Sequence, residues 1–81
     1  MPKEINDILA KRQEEYGNAK DNFEVIGKIW GALLGIPAIP PHQVALLMDS
    51  LKTVRVFNNP QHLDSWLDKL GYTQHGIEIT K

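Results

Sequence analysis

Cysteine is absent from this 81-residue chain, which excludes disulfide staples and thiolate metal sites as sources of stability. The same absence fits a reducing, cytosolic setting. No apolar run approaches the roughly 20 residues needed to cross a bilayer. The opening Met1-Pro2-Lys3-Glu4 lacks the apolar stretch of a signal peptide, so the expectation is a soluble protein with no membrane partner. An excess of either charge is lacking too: nine basic residues face ten acidic ones, a net charge of −1. That balance argues against duplex nucleic acid, whose binding is driven largely by phosphate neutralisation. There is no phosphate-loop pattern, no Gly-x-Ser-x-Gly and no cysteine nucleophile, so nucleophilic catalysis has no support. Internal repeats and low-complexity tracts are missing as well.

What is present is apolar: 42% of the residues are hydrophobic, ample for a globular core. The length corresponds to one domain, residues 1–81. Its small size makes self-association the remaining route to further apolar burial. Four segments show helical periodicity. The first runs from about Lys3 to Tyr16, with Ile5, Ile8, Leu9 and Tyr16 near one face, and Gly17-Asn18 closes it. The second opens with the capping-box spacing of Asp21 to Glu24. It carries Phe23, Ile26, Trp30, Leu33 and Leu34, and stops at Gly35. Ile36 to Pro41 holds three prolines and predicts an extended connection, with Pro41 as the first residue of the third helix.

In the third helix Val44, Leu47, Met48, Leu51 and Val54 form the expected apolar face. Leu46, Val56 and Phe57 lie elsewhere round it, so the helix is expected to be buried on more than one side. Asn58-Asn59-Pro60 ends it. The fourth helix starts near Pro60 or Asp64, carries Leu63, Trp66, Leu67 and Leu70, and ends at Gly76. An irregular tail, Ile77 to Lys81, follows. The fold expected is all-α, a small bundle of three to four helices completed by oligomerisation. Phe23, Ile26, Trp30, Leu33, Val44, Leu47, Leu51, Trp66, Leu67 and Leu70 form its expected core.

Chemistry-bearing residues gather on the last two helices. Asp64, Asp68, Gly71 and His75 fall at i, i+4, i+7 and i+11, one narrow stripe on a helix. Two carboxylates one turn apart can share a divalent cation, which makes Asp64 and Asp68 candidate magnesium ligands. On a purely structural reading Asp64 caps the helix, Asp68 pairs with a base and His75 is solvated. On the third helix Arg55 sits at the edge of the apolar arc, where an unpaired charge is costly. It bridges to Asp64 or Asp68 or, together with Lys52, serves as a phosphate ligand, for which a planar bidentate donor is well suited, and the two roles are compatible where a metal–phosphate group lies between them. His42 and His62 lie at helix starts without an evident partner.

Glu15-Tyr16-Gly17 followed by Asn22-Phe23 resembles the opening of a small phage-borne helical domain of unknown function. Gln43 to Asp49, with Leu51-Lys52 and Arg55, looks like its central helix. His62, Asp64, Asp68, Gly71 and Tyr72 match its closing pattern, and the resemblance spans about Ile8 to Gly76. Such phage and prophage products are loosely grouped with MazG-like all-helical nucleotide pyrophosphohydrolases. The resemblance implies a nucleotide-related, oligomeric protein of the infected bacterial cytoplasm, with Tyr16 or Asn22 closing a seam between Lys52, Arg55 and Asp64, Asp68. MazG-like enzymes hold magnesium with a Glu-Glu-x-x-Glu helix and a later Glu-x-x-Asp helix. Here Glu14-Glu15 is followed by Asn18, and the later helix offers Asp-x-x-x-Asp.

Three functions remain open on these grounds. The first is a phage accessory protein that binds or sequesters a nucleotide or a nucleotide-derived signal. The second is a magnesium-dependent nucleotide pyrophosphohydrolase. The third is an inhibitor that docks an apolar helix face onto a host protein.

Overall fold

The computed structural model describes residues 7, 8 and 18–81. The segment expected from Lys3 to Tyr16 lies outside the described residues except at Asp7 and Ile8, which are helical. Three helices follow: α1 (Ala19–Leu34), α2 (Pro41–Asn58) and α3 (Leu63–Ile79). No strand occurs among the described residues.

Helix α1 begins earlier than the capping-box spacing suggests. Asn18 is extended and its Oδ1 accepts the amides of Lys20 (2.9 Å) and Asp21 (3.3 Å), satisfying two of the free donors of the first turn. Asp21 is left inside that turn, where its carboxylate meets the positive end of the helix. Gly35 ends α1 in the left-handed conformation, φ 68°, as its position in the sequence suggests.

The proline-rich connection does more than span a gap. Its backbone folds back on α1, with the Ile36 amide donating to the Gly31 carbonyl (2.9 Å) and the Ile39 amide to the Gly27 carbonyl (3.1 Å). Gly27 and Gly31 lie one turn apart, and both are buried. A Cβ on Gly27 would collide with the Ile39 carbonyl oxygen, and one on Gly31 would sit 2.8 Å from the Pro37 oxygen. The two glycines are therefore the groove in which the connection lies.

Pro41 starts α2 as expected. The face that α2 buries differs from the one its leucines suggest. Val44, Ala45 and Val56 are buried and Met48 packs against the cluster that holds Val44 and Ala45, whereas Leu47 and Leu51 are exposed. On the helical wheel the buried arc is turned away from the leucines, towards Asp49 and Lys52. Small Ala45 lets α3 approach closely there, and the two charges find partners on it. Among the described residues Phe23, Val44 and Ala45 form a core cluster, surrounded by Ile26, Trp30, Ile39, Met48, Tyr72 and Ile79. Of the expected core, Leu33 (78% exposed), Leu47, Leu51 and Trp66 lie on the surface.

Helix α3 also departs from expectation, running through Gly76 to Ile79. Tyr72 and Ile79, seven residues apart, both pack on the core cluster, so helical spacing prevails over the alternation of Ile77 and Ile79. Its N-cap is His62, not Asp64: the Ser65 amide donates to His62 Nδ1 (3.3 Å). The buried Ser65 hydroxyl lies 2.7 Å from the same nitrogen. An amide can only donate, so Nδ1 carries the lone pair and the imidazole proton resides on Nε2.

Candidate functional site

Among the described helices α2 and α3 form the largest interface, and its polar part is a crossed pair of ion bridges. Lys52 Nζ lies 3.1 Å from Asp68 Oδ2. One residue further along α3, Lys69 Nζ donates to both oxygens of Asp49 at 3.1 Å and to the Thr53 hydroxyl. Each helix thus supplies one cation and one anion. All four side chains are largely shielded from water, where charge-assisted bonds count for more than on an open surface.

The structure brings Lys52 and Asp68 together and leaves other expected members of the seam outside it. Arg55 is exposed in the last turn of α2 and bridges to neither Asp64 nor Asp68. The neighbouring Val56 is the side chain turned inward there. Asp64 is exposed in the first turn of α3. Asn22 is exposed in the first turn of α1, and Tyr16 lies outside the described residues. Among the described residues no three His, Asp or Glu side chains converge as a metal site. An ion shared by Asp64 and Asp68 would have to compete with the Lys52 ammonium.

His75, expected to be solvated, is half-buried and stands edge-on to Phe23, ring centroids 5.9 Å apart at 82°. Tyr72 flanks Phe23 from the same helix at 6.3 Å. Burial disfavours the charged imidazole and lowers its pKa from the ordinary 6.5. An open cleft of about 300 Å³ lies beside this cluster, between the first half of α2 and the second half of α3. Its polar lining is His42, Asp49, Tyr72, Thr73 and Thr80, and neither Lys52 nor Arg55 reaches it. That volume is at the lower limit for a small-molecule site, and its one carboxylate, Asp49, is already paired with Lys69.

The most unusual surface is the outward side of α2. Leu46, Leu47, Leu51 (60%), Val54 and Phe57 (85%) are all exposed. On the wheel they share an arc with Gln43, Ser50, Thr53 and Asn58, an arc without a charged residue. The charges of α2, Asp49, Lys52 and Arg55, all lie on the other arc. The helix therefore turns its ion pairs inward and its large apolar side chains outward, the reverse of a helix at the edge of a lone domain. Sequence reasoning missed Lys69, because a bond across 20 residues leaves no local spacing. The charge-free arc was open to view, since projecting only the charges of α2 reveals it.

The chain matches, over residues 3–80, the model of a family described as a domain of unknown function, DUF6378. It is similar to the Gene 55 protein of Mycobacterium phage L5, with 38% identity over 65 residues, 80% of this chain. The aligned stretch covers 42% of that phage protein's length. No solved structure matches. No helix among the described residues is long and apolar enough to cross a membrane.

Proposed function

The chain belongs to the DUF6378 family, a small domain of unknown function with a phage-encoded homologue, and from that footing we propose that it acts as a non-enzymatic phage accessory protein, docking through the outward face of α2 onto another protein surface. The carrying observation is the uncharged arc bearing Leu46, Leu47, Leu51, Val54 and Phe57. Contiguous exposed apolar surface of this kind marks protein contact sites, and a helix face is a common means of docking. A photo-cross-linking residue in place of Phe57 tests this in cells that make the protein. Discrete protein adducts from position 57, absent when the same residue replaces exposed Glu78, are the expected result. Equal labelling at both positions, or none at either, overturns the reading.

A second reading, capture of a nucleotide or nucleotide-derived signal, is favoured by Arg55. Its guanidinium is exposed one turn along α2 from Lys52 and makes no ion pair among the described residues. An oligomer would add the concavity that one small chain lacks. If Arg55 holds a phosphate, Arg55→Ala removes a charge-assisted contact, lowering affinity by about tenfold to a hundredfold. Calorimetry over linear and cyclic nucleotides, with and without magnesium, measures it. The absence of heat from every nucleotide removes this reading. A pyrophosphate-release assay on the same panel separates capture from the MazG-like hydrolysis that Asp64 and Asp68 would serve, since turnover lost in Asp68→Asn marks an enzyme.

A further inference from the structure

We infer that the crossed ion pairs between α2 and α3 are a lock: they select the roll and the register of α2 on α3, a choice that apolar burial leaves open. The inference does not depend on what the outward arc of α2 meets.

Helix α2 has two apolar faces that overlap. Val44 and Met48 lie on one arc with the buried Ala45 and Val56, which is the arc turned inward in the fold. On the helical wheel the same two residues also border Leu47, Leu51 and Val54. A roll of about a quarter turn would exchange one face for the other. The second face carries the larger side chains, and Leu47, Leu51 and Val54 are all exposed. Apolar burial by itself therefore favours the roll that the fold does not adopt.

The charges oppose that roll. It would carry Asp49 to the far side of α2, away from Lys69. The Lys69 ammonium would lose both Asp49 oxygens and the Thr53 hydroxyl, which it now binds. Lys52 would draw away from Asp68 in the same movement. The four side chains are between 20% and 28% exposed, and a charge stranded in such a setting is penalised more than one on an open surface.

Their order along the helices opposes sliding as well. Asp49 precedes Lys52 on α2, and Asp68 precedes Lys69 on α3. The bridges join Asp49 to Lys69 and Lys52 to Asp68, so the two helices run antiparallel. Sliding α3 one way brings Lys69 towards Lys52, and sliding it the other way brings Asp68 towards Asp49. Like charges approach in both directions. Polar residues at coiled-coil interfaces fix register by the same means.

Single thiols report the roll, because the chain has no cysteine of its own. Position 51 is 60% exposed and position 45 only 3%. The thiol of Leu51→Cys is therefore expected to react at least about tenfold faster than that of Ala45→Cys. In a chain made neutral by Asp49→Asn, Lys52→Met, Asp68→Asn and Lys69→Met, the ratio is expected to fall towards one or to invert, with helicity and cooperative unfolding retained. Exchanging all four signs, by Asp49→Lys, Lys52→Asp, Asp68→Lys and Lys69→Asp, keeps both bridges and is expected to restore the ratio. A neutral chain with the wild-type ratio overturns the inference and assigns the inward face to packing around Ala45. A sign-exchanged chain that behaves like the neutral one overturns it too, since the pattern of signs then selects nothing. A neutral chain that loses its helicity or its cooperative unfolding also overturns it, because the charges then hold the helices together rather than choose between their arrangements.

Discussion

At the scale of single residues, Gly27 is a position that leaves no room for a side chain. A methyl group there meets the Ile39 carbonyl, a backbone atom that is itself held by the strap. Gly27→Ala is expected to lower the unfolding free energy by about 1–3 kcal/mol, the usual cost of overpacking. Gly76 is the control, because a Cβ there meets nothing within 4 Å. Gly76→Ala in the interior of α3 should instead stabilise by about 0.5–1 kcal/mol. Urea unfolding of both variants measures the contrast. His75 carries a pH signature of definite sign. Its imidazole is more basic in the unfolded chain, near 6.5, than against Phe23, where burial lowers the pKa. Below 6.5 the unfolded chain therefore binds more protons, and stability falls as pH drops towards the folded value. Above 6.5 this contribution is complete. Unfolding at pH 7.5 and 5.5 should show the loss, and His75→Leu should reduce it.

At the scale of elements, the three helices were legible, and so was part of the core, Phe23, Val44 and Leu67, but the buried face of α2 was not. Gly35, Pro41 and the Asn58-Asn59-Pro60 stop are local signals, and each lies where the corresponding helix begins or ends. The start of α1 was missed because Asn18, read as the close of the preceding segment, caps the following one. The end of α3 was missed because the core contact of Ile79 outweighs the helix cost of Gly76. Which side of α2 faces inward depends on Asp49 and Lys52 meeting Lys69 and Asp68, partners set by tertiary contact. The same limit applies to the candidate site. Lys52 and Asp68 meet, but the reach of Arg55 past α3 depends on how the helices lie together. Two substitutions probe these contacts. Leu67→Ala, on the buried side of α3, should cost about 2–5 kcal/mol. Lys69→Met leaves a partly buried Asp49 carboxylate without its cation, a loss of about 1.5–3 kcal/mol. The double variant Lys69→Met/Asp49→Asn should recover part of it.

At the scale of the whole molecule, the distinction is between cost fixed within one chain and cost that self-association would share. Leu67→Ala should destabilise equally at all protein concentrations. The penalty of Leu51→Ala, on the outward arc of α2, should depend on concentration if the oligomerisation expected from the sequence covers it. Thermal melts of both variants over a dilution series distinguish the two kinds of site. The strap between α1 and α2 also bears on where the polypeptide can be interrupted. A connection that merely spanned a gap would accept extra residues, since lengthening a free loop costs little. This one is pinned to Gly31 at one end and Gly27 at the other, so its length is set by the pitch of α1. An affinity tag or reporter spliced in at Ala38 should abolish folding, whereas the same insert between Asn59 and Gln61, where all three residues are exposed, should leave more of the protein intact.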